Sequence, residues 1–127
     1  MAKWVLDASA VLALLANERG AEQVQAALGS AVISAVNLAE VLAKLSDRGA
    51  TVAELRLVRT SLDIEVRSFG ERAALRASTL RGTTKSFGLS IGDRACLALA
   101  LEEGLPALTT DRAWSALDVG VDVRSLR

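Results

Sequence analysis

Four acidic side chains lie where strand-like runs hand over to helix-like runs, and their placement suggests chemistry that runs on carboxylates and a bound cation. Asp7 closes Trp4-Val5-Leu6, Glu40 sits in Asn37-Leu38-Ala39-Glu40-Val41, Asp93 follows Leu89-Ser90-Ile91-Gly92, and Asp111 follows Leu108-Thr109-Thr110. Three fall at the ends of elements that a parallel sheet would bring together, and Glu40 lies in a helix after another strand. Two carboxylates about 4 Å apart repel by roughly 4 kcal/mol at an effective dielectric of about 20. A fold that gathers such groups needs a compensating charge, and a divalent cation held through oxygen is the usual one.

The residues that are missing narrow the chemistry further. The chain has no histidine and no tyrosine. That removes the commonest general base, the commonest zinc ligand and the Ser-His-Asp triad together. Hydrolytic chemistry would have to run on carboxylates and metal-activated water. Four carboxylates without soft ligands suit Mg²⁺, with Mn²⁺ able to substitute, rather than zinc.

The elements that must position these acids alternate along the chain. Lys3–Asp7 reads as a buried strand and Ala8–Ala16 as an almost wholly apolar helix. Ala21–Leu28 is a second helix, Ala31–Ser34 a second strand, and Ser34 a fitting N-cap for a helix over Ala35–Asp47. Thr51 caps a helix through Ser61, Ile64–Ser68 alternates as a strand, and Glu71–Leu80 is helical. Arg81–Gly88 is a loop by composition. Ser90 caps a helix to Glu103, and Ala107–Thr110 and Val121–Arg124 complete the strands. Strands alternating with helices predict a three-layer α/β/α sandwich around a parallel β-sheet of four to five strands.

Each acid also has a plainer reading. Asp7 and Asp111 belong at the carboxyl edge of the sheet, where such folds carry their crevice, yet either could simply cap the next helix. Asp93 shares an inward stripe with Cys96, Leu97 and Ala100, while Ser90-x-x-Asp93 also fits a variant capping box. Counted with the other acids, Asp93 reads as a ligand. Glu40 points away from the stripe Leu38, Val41, Leu42, Leu45 and precedes Lys44 by four residues. By pattern alone it is a solvated glutamate in a surface ion pair. Arg81 and Lys85 flank the loop before the helix of Asp93, and Arg94 and Arg112 each follow a site acid, where a phosphate could meet them.

At 127 residues the chain reads as one domain, residues 1–127. It is 51% apolar and 24% charged, enough for a core and unlike a disordered chain. Fifteen Lys and Arg balance fifteen Asp and Glu, so no global basic field advertises nucleic acid. One cysteine, Cys96, suits a reducing compartment, and no signal peptide or membrane-spanning run is evident. These features predict a cytoplasmic protein with no membrane association.

Order and context together resemble the PIN-domain nucleases, and more closely the VapC-type toxins of bacterial toxin–antitoxin pairs. The segments that carry the resemblance are Val5-Leu6-Asp7-Ala8-Ser9-Ala10, the helical Glu40, Leu89-Ser90-Ile91-Gly92-Asp93-Arg94-Ala95-Cys96-Leu97, and Leu108-Thr109-Thr110-Asp111-Arg112-Ala113-Trp114. Gly92 stands where that family often has alanine. The resemblance reverses the reading of Glu40, because the family places its second acid in the helix after the second strand. It implies that Asp7, Glu40, Asp93 and Asp111 form the catalytic, metal-binding cluster. Asp7 and Asp93 would be the firmest ligands, Glu40 a ligand or an orienter of water, and Asp111 a member acting through water. Ser9 and Thr110 would hydrogen-bond the carboxylates. The implied activity is a Mg²⁺- or Mn²⁺-dependent endoribonuclease, the toxin of a type II toxin–antitoxin system, hydrolysing RNA by metal-activated water and leaving 5′-phosphate ends. A cognate antitoxin protein and a homodimer are implied partners. The alternatives are an RNA-maturation nuclease and a non-catalytic binding module on the same fold. A phosphoacceptor receiver domain fits poorly, since Asp63 begins rather than ends the third run and no lysine follows Lys85. A haloacid-dehalogenase-like phosphatase would want an Asp where Ser9 stands.

Overall fold

The computed structural model describes all residues from Met1 to Arg127. Five short strands form one sheet: β1 (Trp4–Leu6), β2 (Ala31–Ser34), β3 (Glu65–Arg67), β4 (Ala107–Thr109) and β5 (Val123–Ser125). Every pairing is parallel, in the order β3-β2-β1-β4-β5. The helices are α1 (Ala8–Leu15), α2 (Ala21–Ala27), α3 (Ala35–Asp47), α4 (Val52–Ser61), α5 (Glu71–Thr79), α6 (Arg81–Thr84) and α7 (Ile91–Glu103).

The central strands are apolar on both sides because both sides are covered. Leu6, Ile33 and Leu108 face a core completed by Val11 of α1, Val24 of α2 and Val41 of α3. Val5, Val32 and Ala107 face the opposite core, with Ala77 of α5, Cys96, Leu97 and Ala100 of α7, and Trp114. The result is the three-layer α/β/α sandwich expected, with a fully parallel sheet of five strands.

Chain direction reverses at the middle of the sheet. From β1 the chain steps outward to β2 and β3, then crosses back to β4 on the other side of β1. A crevice therefore opens beyond the carboxyl ends of β1 and β4. Side chains alternate along a strand, so Asp7, two residues past Val5, and Thr109, two past Ala107, both continue the face covered by α7.

The expected loop at Arg81–Gly88 is instead helical: α6 runs into a 3₁₀ turn at Lys85–Phe87 that ends at Gly88 with φ 65°. The hydroxyls of Thr83 and Thr84 both donate to the Leu80 carbonyl, at 3.2 and 2.6 Å, and Thr84 is buried. These local bonds hold the chain coiled despite its glycine- and threonine-rich composition. Strand ends also differ by one or two residues from expectation. The largest difference is at β5, an edge strand that pairs only with β4 and only over Val123–Ser125. No helix is long and apolar enough to cross a membrane.

Candidate active site

Asp7 sits at the reversal point, only 4% exposed, as the N-cap of α1. Its Oδ1 accepts from the Ser9 hydroxyl at 2.7 Å and the Ala10 amide at 2.9 Å, and its Oδ2 accepts from the Thr109 hydroxyl at 2.6 Å. The Thr109 Oγ1 in turn accepts from the Asp111 amide at 3.0 Å, and the Ser9 Oγ from the Thr110 amide at 3.0 Å. Hydroxyls thus tie the end of β1 to the end of β4. Burial pushes the Asp7 pKa from 3.8 up to about 6; hydrogen bonds from Thr109, Ser9 and Ala10 pull it down, and the charge of Asp93 adds to the rise. Removal from water outweighs three donors, so an ionised Asp7 is held at a cost.

Thr110 was expected to donate its hydroxyl to a carboxylate, but Thr109 does so. The pleat explains the difference, since Thr109 shares a face with Asp7 and Thr110 points the other way. Thr109→Val keeps the shape and removes the donor. It is expected to lose about 2 kcal/mol near pH 7.5, where the bond serves a carboxylate, and about 1 kcal/mol near pH 4.5, where it serves a neutral acid. Urea unfolding at the two pH values checks this, and equal losses would mean that the hydroxyl does not serve the ionised form.

Asp93 takes the capping role that was its plainer reading. It makes a full capping box, its Oδ2 accepting from the Ser90 amide at 3.0 Å while the Ser90 Oγ accepts from the Asp93 amide at 3.2 Å. Its charge nonetheless reaches Asp7 and the thiol of Cys96. That thiol is buried and pushed well up, first by burial and then by the charges of Asp7, Asp93 and Glu40. Cys96, under the top of α7, therefore feels the charge of three of the four acids.

Glu40 is solvent-exposed, as its helical pattern requires, but it forms no ion pair with Lys44. Instead its Oε1 accepts from the Nδ2 of Asn37 at 2.9 Å, and its carboxylate rests against Gly92 of α7. Asn37 is the residue sequence reasoning passed over. It is 1% exposed and also donates to the Gly92 carbonyl at 2.9 Å, joining α3 to α7. The only available signal was its spacing, three residues before Glu40, which puts both on one side of a helix.

Asp111 stands at the rim. It caps the 3₁₀ turn Arg112–Ala116, accepting from the Ala113 amide at 2.9 Å, and is exposed. Its link to the cluster is its own amide, which donates to Thr109.

No three of these side chains converge closely enough to hold one ion between them. The donors still suit a hard cation such as Mg²⁺, which keeps several waters and takes one or two carboxylates directly. The acids offer only oxygen, the one thiol, Cys96, is buried, and the buried Asn37 Oδ1 has no protein donor. The Nε of Arg94, beside Asp93, is likewise buried without an acceptor, and Arg94 makes no ion pair. An unpaired guanidinium next to a cluster of acids is suited to an anion from outside.

The family model for the PIN domain matches residues 4–120. No curated protein gives a significant sequence match. Among solved structures, the DNA-bound VapBC of Salmonella typhimurium is similar with a TM-score of 0.78 at 19% identity, covering 100% of both chains. The VapC20 toxin of Mycobacterium tuberculosis, described as cleaving the sarcin-ricin loop, gives a TM-score of 0.74 at 20% identity over 94% of this chain and 98% of its own. VapBC-5, a member of the VapBC family of toxin–antitoxin systems from the same organism, gives 0.62 at 26% identity over 100% of this chain and 99% of its own.

Proposed function

The chain belongs to the PIN domain family, and from that premise we propose that it is a divalent-cation-dependent endoribonuclease, the toxin of a type II toxin–antitoxin pair. The observation that carries this reading is the state of Asp7. A carboxylate almost wholly out of water, with two more acids close enough to act on a shared thiol, is a costly arrangement that a cation would relieve.

In this reading Asp7 and Asp93 hold Mg²⁺ or Mn²⁺, Glu40 contributes through its free oxygen, and Asp111 acts from the rim through water. When bound, the cation supplies positive charge against the phosphate oxygens and makes water easier to deprotonate. Ser9, Thr109 and the Ala10 amide fix the Asp7 carboxylate in one orientation, which saves the site that ordering during reaction. Glu40 is held at Oε1 only, so its Oε2 is available to take a proton from the attacking water. Water adds to phosphorus as the bond to the 3′ oxygen breaks, and solvent returns a proton to that oxygen. The products are a 5′-phosphate and a 3′-hydroxyl. The unpaired Arg94 would meet a non-bridging phosphate oxygen.

The toxin role is supported by full-length likeness to chains solved as VapBC assemblies. A protein partner and a homodimer are also consistent with α4, which has no buried residue and leaves Val52 and Leu57 exposed. Cys96, a lone buried thiol, fits a cytoplasmic setting. The test is a transcriptome-wide map of new 5′-phosphate ends after a brief pulse of expression, with Asp93→Asn in parallel. New ends with the wild type alone are the expected result and would name the substrate. Equal ends in both would assign the cutting to another nuclease, and no ends from folded, antitoxin-free protein would favour a binding module.

A further inference from the structure

We infer that Gly92 and Asn37 together form a berth that fixes the Glu40 carboxylate against α7, and that this berth sets how tightly the site holds its cation. The inference rests on the cation-dependent reading above and names the residues that make Glu40 part of it.

Glu40 has no reason of its own to join the cluster. Its place on α3 lies outside the apolar stripe of that helix and leaves it exposed, and a free glutamate there would spend its time in water. What changes this is the neighbouring helix. A Cβ built on Gly92 would overlap both carboxylate oxygens and the carboxyl carbon of Glu40. The carboxylate therefore lies directly on the α7 backbone, in the space a side chain would fill, one residue from Asp93.

Backbone conformation does not account for this glycine. Gly92 lies inside α7 and is not among the residues with positive φ, so any residue could adopt its backbone angles. Glycine in a helix is about 1 kcal/mol worse than alanine. The room it leaves is the one local reason for it, and the Glu40 carboxylate occupies that room.

Asn37 closes the berth from the other side. Its Nδ2 has two hydrogens, and both are used, one on Glu40 Oε1 and one on the Gly92 carbonyl, each at 2.9 Å. Two acceptors on one nitrogen fix which way the amide faces. A buried amide with its oxygen left unpartnered is costly, so Asn37 stabilises the position of Glu40 more than it stabilises the fold. The clamp holds the Glu40 carboxylate against Gly92, the residue next to Asp93 on α7. Asn37 is in this sense a positioning residue: it acts on the cation through Glu40.

The test is Mn²⁺ binding to the full chain by calorimetry and electron paramagnetic resonance, with thermal melts of the same samples. Gly92→Ala should melt at or above the wild-type temperature, because alanine favours the helix and the obstructing carboxylate is the mobile end of a side chain. Its Kd for Mn²⁺ should rise about tenfold, as expected when a partner that orients a ligand is lost. Asn37→Ala should weaken Mn²⁺ similarly, and the double variant should bind no worse than the weaker single, since both act through one carboxylate. Should Asn37→Ala fail to fold, Gly92→Ala decides alone. Asp93→Asn separates the two levels. If it loses Mn²⁺ while Gly92→Ala stays within about twofold of the wild type, the berth is wrong and the cation reading stands. If Asp93→Asn binds Mn²⁺ as the wild type does, or the wild type does not bind it, both fall.

Discussion

Asp7→Asn should melt several degrees higher than the wild type in chelator-treated buffer near pH 7.5, and it should cleave no RNA. The Asp7 pKa rises from 3.8 to about 6 on folding. A raised folded-state value means the native chain binds this proton more readily than the unfolded one. The stabilisation is therefore complete below about pH 3.8, declines as pH rises through about 6, and is gone at neutral pH. Two pKa units correspond to roughly 3 kcal/mol, the cost of keeping the ionised carboxylate at the reversal point. Asparagine removes that cost. Its Oδ1 still accepts from Ser9 and Ala10, and its amide can donate to the Thr109 oxygen, whose proton turns toward Ser9 Oγ at 3.3 Å. The gain should shrink to nothing near pH 4, where Asp7 is protonated anyway. Saturating Mg²⁺ should restore the wild type and not the variant, since a ligand that binds only the native state stabilises it by mass action. Scanning fluorimetry across pH, with and without Mg²⁺, checks all of this. A gain that stayed constant with pH would mean that the ionised carboxylate is not what costs stability.

The trade between stability and activity at Asp7 is what a working site predicts, and parts of it were legible in the sequence. Asp7 and Asp111 could be placed at the carboxyl edge because apolar runs end there and parallel sheets put their crevice beyond that edge. Asp93 was legible as an inward residue from the spacing to Cys96, Leu97 and Ala100. Glu40 was not, because a helix's own periodicity describes only that helix. Its true neighbour is a gap on α7 left by Gly92, fifty-two positions away, and no local pattern encodes an empty space. The family resemblance assigned Glu40 to the cluster without explaining how it gets there. Asn37 was invisible for a related reason, since a polar residue near a helix start reads as surface until the helix it faces is known. The exchange of Thr110 for Thr109 came from strand parity, because Thr109 shares the face of Asp7 and Thr110 takes the other. The helical Arg81–Phe87 segment was missed because two threonine hydroxyls on one carbonyl override composition.

Asp93 is where the plain and the functional readings can be separated most sharply, because one substitution keeps the cap and removes the charge. If Asp93 were only a cap, Asp93→Asn would change little, since asparagine is as good an acceptor for the Ser90 amide as aspartate. If it also serves a cation, the same change removes a full negative charge where the charges of Asp7 and Glu40 remain. Asp93→Asn is therefore expected to cut RNA at least about a hundredfold more slowly while its unfolding free energy moves by less than about 1 kcal/mol. Ser90→Ala is the mirror experiment. It removes the hydroxyl that accepts from the Asp93 amide and so should cost about 1 kcal/mol of stability. The Asp93 carboxylate survives that change, so cleavage should stay within severalfold of the wild type once the protein is folded. Single-turnover cleavage of a mapped RNA site, with denaturant unfolding of the same samples, gives both numbers for both variants. Two variants that lose activity in proportion to their lost stability would return Asp93 to the role of a cap. A slow but stable Asp93→Asn beside a less stable but active Ser90→Ala would tie the chemistry to the charge on Asp93, with the cap holding that charge in place.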